Sequence, residues 1–462
     1  MQSGCRLSCA LVGALLAACS VGPRYHKPGI PVARQWDAPL QPSEASVWPE
    51  SDWWHRFGSP RLDELIGEAE RSNDDLAGAM ARIQEADAQL RIAGAPLLPT
   101  VDLAATGTRE RASVSGEGFS TYNVFNPVLA ASYELDFWGK NRAARDAARA
   151  LAVASRYDRE TVALTVISSV ATTYLQALEL RERIEVAEQN LANGEKILQG
   201  LSFQQRVGTA TGLDVAQQET AVALLNAAIP PLQEQFRQTV YALAVLIGKT
   251  PETVDVTEGT LNDLKVPEVV AGLPSELLAR RPDVAEAEQQ LISANADIGV
   301  ARAELFPSIV LTASGGYESG VLSSLVNPAH RAWAVSAGLT QPIFHGGALR
   351  GQLAYSKARY TELLTTYHKA VLTALSNVES ALVAARQTAD QETRQADAVA
   401  KARRAYEFAQ AQMAAGTINV LTVLNTENAL FSAKDTLVQV QYSHLQALID
   451  LYTALGGGWR QG

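Results

Sequence analysis

Hydrophobic positions follow two different periods along this chain. In four short segments they alternate with small or polar residues: Val101, Leu103 and Ala105 against Asp102, Ala104 and Thr106, then Leu129, Ala131, Tyr133, Leu135 and Phe137 against Ala130, Ser132, Glu134 and Asp136. Ile309, Leu311 and Ala313 keep the same period, as do Val335, Ala337 and Leu339. A period of two predicts β-strands, and about ten residues is what a tilted transmembrane strand needs. We place the strands at about 100–108, 127–137, 307–317 and 333–343. Aromatic residues mark their ends, Phe137, Trp138, Phe306 and Phe344 at one level and Tyr317, Trp333 and Phe125 at the other, the distribution of two interfacial girdles. The Gly/Ser/Asn-rich stretches Thr108 to Asn126 and Glu318 to Arg331 read as exposed outer loops. A soluble amphipathic hairpin would alternate in the same way, so closure decides. Two hairpins leave open strand edges, which lipid does not tolerate, and four strands cannot enclose a water-filled lumen. Several protomers must then share one barrel, and three copies would supply twelve strands.

Nearly all the rest has a helical period. Pro60 to Ala93 reads as two helices broken near Asn73, with Leu62, Leu65, Ile66 and Ala69 on one face of the first. Long helices are predicted over about 140–207 and 347–415; at 1.5 Å per residue each would be roughly 90 to 100 Å long. Each turns at a glycine, Gly208 or Gly416, into a return helix over about 213–247 or 420–455, and Pro230-Pro231 should break the first of these. Apolar residues here cover more than one face, as Val162, Leu164, Val166, Ile167, Val170 and Ala171 illustrate. Such helices want neighbours on two sides, as in a closed ring, although a soluble coiled coil remains the plainer alternative.

The two halves echo each other. Pro99 and Pro307, which open strand-like segments, stand 208 residues apart, as do Gly208 and Gly416. Two internal repeats are therefore expected, 61–260 and 261–462, preceded by an extended segment at 19–60 in which prolines and Trp36, Trp48, Trp53 and Trp54 are interspersed.

Composition narrows the function. With 47% hydrophobic but only 6% aromatic residues, the 462-residue chain has the make-up of packed helices rather than of a compact enzyme core. A net charge of −10 without a basic run argues against nucleic acid. All 3 cysteines fall among the first 19 residues, around an apolar run from Leu7 to Ala18 that reads as an export signal over residues 1–18. Leu16-Ala17-Ala18-Cys19 resembles a lipobox, so Cys19 is the expected lipidation site and mature N-terminus; an ordinary signal peptide with an incidental cysteine is the alternative. Ser20, in place of Asp, fits outer-membrane sorting of such lipoproteins. No zinc-type His pair, phosphate-binding loop or Gly-x-Ser-x-Gly elbow is present, so neither catalytic residues nor metal ligands nor a cofactor are expected. Only 3 methionines occur, which leaves soft-metal specificity without support.

Several local motifs carry a family resemblance. Cys19 to Pro28, Trp53 to Leu62, Tyr133-Glu134-Leu135-Asp136-Phe137-Trp138-Gly139-Lys140, Gln341 to Gly347 and Leu273 to Asp283 together resemble the TolC/OprM outer-membrane factor family, in particular its lipidated NodT-like branch. The resemblance spans essentially the whole mature chain. It implies an α+β membrane protein: a homotrimeric twelve-stranded β-barrel, four strands per protomer, in outer-membrane lipid, continued by a long α-helical barrel in the periplasm. It further implies a passive efflux duct for drugs or other small molecules, of the multidrug type, docked by a periplasmic adaptor and an inner-membrane pump of the RND type. A non-conducting lipidated periplasmic scaffold and a type I secretion duct are the competing readings; the aromatic-ended strands speak against the scaffold.

In that family the aperture lies where the long helices turn, here near Arg206 to Val215 and Met413 to Leu424. Many relatives carry acidic residues there; this chain has Ile418, Asn419 and Asn425, with Asp214 the nearest acid. We therefore expect a constriction closed by apolar contact of Ile418 and hydrogen bonding of Asn419 or Asn425, the alternative being that Ile418 simply packs in the turn.

Overall fold

The computed structural model describes residues 21–31, 36–37, 48–114, 118–267 and 274–460. The expected signal segment and Cys19 lie outside the described residues. Nine α-helices and four strands organise these residues: α1 (Pro60–Ser72), α2 (Asp74–Gly94), β1 (Thr100–Val114), β2 (Gly118–Glu134), α3 (Lys140–Arg206), α4 (Gly212–Ala227), α5 (Ile229–Leu246), α6 (Pro274–Leu277), α7 (Pro282–Ala303), β3 (Ser308–Tyr317), β4 (Arg331–Thr340), α8 (Ala348–Ala414) and α9 (Val420–Ala454). Two compact units share them, one formed by 1–29, 82–156 and 286–369 and the other by 30–81, 157–285 and 370–462.

The first unit holds a single antiparallel sheet in the order β1-β2-β3-β4, both of whose outer edges are open. Its register fixes two faces. Leu103, Leu129, Gly315 and Trp333 form one cross-strand row on the apolar face, while Thr312 and Ser336 share a 2.7 Å hydroxyl contact on the other. All four helix connections leave from one end of the sheet and both hairpin loops from the other.

The first hairpin is longer than the alternation implied. Strands expected at about 100–108 and 127–137 run instead over Thr100–Val114 and Gly118–Glu134, so most of the expected loop is ladder. Charged and polar residues there looked loop-like, but they pair: Glu110 opposes Tyr122, whose hydroxyl donates to it, and the Arg111 guanidinium lies 5.5 Å from the Phe119 ring. The hairpin's far end is shorter than expected because Asp136 leaves the ladder. Its carboxylate accepts from the backbone N–H of Asn141 and Arg142, both at 2.9 Å, capping the start of α3. β4, expected at about 333–343, stops at Thr340, before Pro342, which has no N–H to donate. Trp138 sits at this junction, donating to the Pro307 carbonyl at 2.8 Å and stacking on Phe306 at 4.7 Å.

Residues 21–31 extend along α7. Asn295 donates to the Pro23 carbonyl at 3.1 Å, and Lys27 forms a 2.6 Å ion pair with Glu288.

In the second unit α1 buries Leu62, Leu65, Ile66 and Ala69, as its spacing predicts. Asn73 separates α1 from α2, its side-chain oxygen accepting from Asp75 and Leu76. Trp53 is 1% exposed and stacks on Tyr452 of α9, with ring centroids 5.0 Å apart. The return helix expected over about 213–247 is two helices, interrupted at Ala228, with Pro230 and Pro231 in the first turn of α5, where their missing N–H groups cost least. Gly194 lies within α3 without breaking it. It lets α4 come close: the buried Gln218 amide donates to the Gly194 carbonyl at 2.8 Å, and a β-carbon would meet Leu225 at 3.1 Å.

Candidate functional site

The two helix turns are built alike. α3 ends at Arg206 and α8 at Ala414, and in each case a glycine takes up the left-handed backbone that an L side chain rarely adopts, Gly208 at φ 84° and Gly416 at φ 72°. The following threonine ties the turn back to the helix. Thr209 donates to the Gln204 carbonyl through its backbone N–H at 2.8 Å and its hydroxyl at 3.1 Å; Thr417 does the same to Gln412, at 3.0 Å through each group.

Each return helix then opens on a side-chain cap. Thr211 caps α4 in a capping box: its hydroxyl accepts from the Asp214 N–H at 3.2 Å, and the Asp214 carboxylate accepts from the Thr211 N–H at 2.8 Å. The Thr211 hydroxyl also donates to that carboxylate at 2.7 Å, and this bond with the one from the Thr211 N–H holds the Asp214 carboxyl below the usual range. Asn419 caps α9, accepting from the Thr422 N–H at 3.2 Å and the Thr422 hydroxyl at 3.0 Å. Asp214 and Asn419 are thus engaged within their own turns. Asn425 is exposed on the second turn of α9.

Ile418 is half-buried and packs against the apolar cluster of the α8–α9 hairpin, Val399, Tyr406, Ala409, Val423 and Leu430. A second cluster joins the two hairpins, with Leu201 of α3, Val215 of α4 and Val420 and Leu424 of α9; Ile197 and Met413 touch both clusters. Farther from the turns the hairpins are bolted by charge. Arg183 of α3 meets Asp435 of α9 at 2.7 Å and Glu179, one turn back on α3, at 3.1 Å. Burial pushes the Glu179 carboxyl up against the opposing pull of Arg183.

Two groups here escaped the reading of the sequence. Glu427 is 4% exposed between Val423 and Leu430 on α9 and accepts from the Tyr406 hydroxyl at 3.4 Å; burial pushes its carboxyl up, and burial together with Glu427 pushes the Tyr406 hydroxyl up to about 12. A lone acid in a helix ordinarily marks a solvated face, and only its position between two core residues four before and three after hints otherwise. Among the described residues no group of acids, histidines and cysteines could hold a metal ion.

A sheet with one apolar face, together with helical hairpins whose turns are glycine-bent and capped beside apolar clusters, has the make-up of an outer-membrane channel of the β-plus-helical-hairpin class. A family model described as outer membrane efflux protein matches residues 65–249 and again 273–457. The chain is 40% identical over 459 residues to the pyoverdine export outer membrane protein OpmQ of Pseudomonas aeruginosa, covering 97% of this chain and 96% of that one. It is 31% identical to the cation efflux system protein CusC of Escherichia coli, with 100% of both chains covered. Among solved structures it is similar to the outer-membrane channel OprN, with a TM-score of 0.91, 28% identity and 96% and 100% of the two chains covered. It also resembles the open state of the Neisseria gonorrhoeae MtrE channel, with a TM-score of 0.87, 31% identity and 96% and 99% coverage. The chain belongs to the outer membrane efflux protein family. It is an outer-membrane channel component of tripartite efflux, and members of its family are transport proteins rather than enzymes.

Proposed function

We propose that three copies of the chain close one barrel, the free edge of β4 in each protomer pairing with the free edge of β1 in the next, and that their helical hairpins close a tunnel into the periplasm. The observation that carries this is the open four-stranded sheet with one face that is apolar from the helix end up to Arg109 and Arg331. Unpaired strand edges have no water to satisfy them in lipid, and three protomers give twelve strands, wide enough for an aqueous duct. The duct is passive. A periplasmic adaptor and an inner-membrane pump of the RND type supply selection and energy, and Cys19 carries lipid that anchors the mature N-terminus. The chain is built as two repeats, which accounts for a family model that matches twice.

The cargo we propose is small organic molecules, with chelating siderophores of the pyoverdine kind the first to test, since OpmQ is named for that export. The aperture lies at the Gly208 and Gly416 turns, ringed by Ile418, Asn419, Asn425 and Asp214, where Asp214 and Asn419 hold the turns in shape and Ile418 supplies apolar closure. Native mass spectrometry of the detergent-purified protein tests the assembly: a complex of three lipidated chains is expected, and a monomer would overturn it.

A further inference from the structure

Every charged side chain of the described sheet is sorted by sign between its two faces. Residues directly opposite each other in an antiparallel pair lie on the same face. Through Leu103↔Leu129, Leu129↔Gly315 and Gly315↔Trp333 the odd-numbered positions of all four strands make up the apolar face. The strands' three basic residues, Arg109, Arg111 and Arg331, all stand on it; their three acids, Asp102, Glu110 and Glu134, all stand on the other. An arginine facing lipid is costly at mid-bilayer and nearly free at the interface, so these three must mark a boundary.

Their height agrees. Arg109 is eight residues beyond Val101, and Arg331 stands eight before Leu339. At ~3.4 Å per residue that is about 27 Å along the strand, or about 21 Å of height at a tilt of ~40°, close to the ~25 Å of an outer-membrane apolar band. The end they mark is that of the hairpin loops, away from the helix connections; Phe125 and Trp333 lie one same-face step nearer the helices, and Tyr317 lies directly opposite Arg331. All three guanidiniums are exposed, and no carboxylate of the described strands shares their face.

We propose that Arg109, Arg111 and Arg331 form a basic collar that binds the phosphate groups of lipid A, the phosphorylated glycolipid of the outer leaflet. The proposal rests on the barrel reading above. Guanidinium is suited to this occupant, because its fork pairs two donors with two phosphate oxygens while the stem stays against the acyl chains. The opposite face, which carries the acids, repels the same headgroup and keeps the wall of the duct free of lipid.

The test uses the full-length protein reconstituted with a mixture of bis-phosphorylated and dephosphorylated lipid A, then stripped of loose lipid and weighed by native mass spectrometry. Retention of the bis-phosphorylated form is expected to exceed that of the dephosphorylated form, and R109Q/R111Q/R331Q should abolish the preference, at about five-fold per guanidinium near an anionic surface. R109K/R111K/R331K should keep part of it, which separates charge from folding. Equal retention of the two lipids by the wild type, or an unchanged preference in the Gln variant, overturns the collar. Conductance is read in the same bilayers. Conducting protein without lipid preference sinks the collar alone, and protein that never inserts sinks the barrel reading with it.

Discussion

The Glu427 carboxylate lies inside the α8–α9 hairpin, 3.4 Å from the Tyr406 hydroxyl that donates to it, with Val423 and Leu430 on either side. Burial favours its neutral form, so its folded-state pKa is above the unfolded value of 4.5. The folded hairpin therefore binds more protons than the unfolded one, and stability falls as pH rises. It is greatest below the unfolded pKa and is lost progressively as pH climbs through the raised one. E427Q keeps the hydrogen bond without the charge and should remove this dependence while protecting the hairpin at neutral pH. Hydrogen exchange of residues 400–430 between acid and neutral pH measures it; a wild type that loosens in acid would refute the assignment.

Arg183 faces two carboxylates, Asp435 at 2.7 Å and Glu179 at 3.1 Å, and Glu179 is 7% exposed. Taking away the cation strands two poorly solvated acids. R183M is expected to cost about 3–5 kcal/mol, as for a buried pair stripped of one partner, and D435N less, because Glu179 still holds the guanidinium. Chemical denaturation of the two variants gives the order directly, and equal losses would show that Asp435 alone matters.

At Gly416 nothing lies within 4 Å of an added β-carbon, yet φ is +72°, so G416A isolates backbone strain. A left-handed L residue costs about 1–2 kcal/mol. Limited proteolysis should cut the variant faster near residue 416, with cleavage elsewhere unchanged; uniform acceleration would mean that the turn stabilises the whole chain.

Much of this was legible beforehand. The glycine turns, the break at Pro230-Pro231, the alternating strands and the buried face of α1 each follow from a local rule that needs no knowledge of neighbours. The extension of the first hairpin was hidden because Arg109, Glu110 and Arg111 look like loop residues until Tyr122 is set opposite Glu110 and the Phe119 ring within reach of Arg111. Arg183 and Asp435 are 252 positions apart, and nothing local specifies which residues of two long helices meet. Asn419 was read for what it could offer an aperture, whereas an asparagine at the N-terminus of a helix first satisfies that helix's own N–H groups.

The turns offer no free ring of carboxylates, since Asp214 is engaged by Thr211 and position 425 is an exposed asparagine. Divalent cations added at the periplasmic end should therefore block the wild type weakly. N425D would introduce three carboxylates in the proposed trimer and should create a block that titrates with the divalent concentration. Strong block of the wild type would contradict an aperture whose one carboxylate, Asp214, is tied up in its own turn.

Single-channel recording of the purified full-length protein in a planar bilayer reads conduction itself. Discrete, infrequent openings of a mostly closed duct are expected. Folded, helical protein that never inserts or conducts would contradict this.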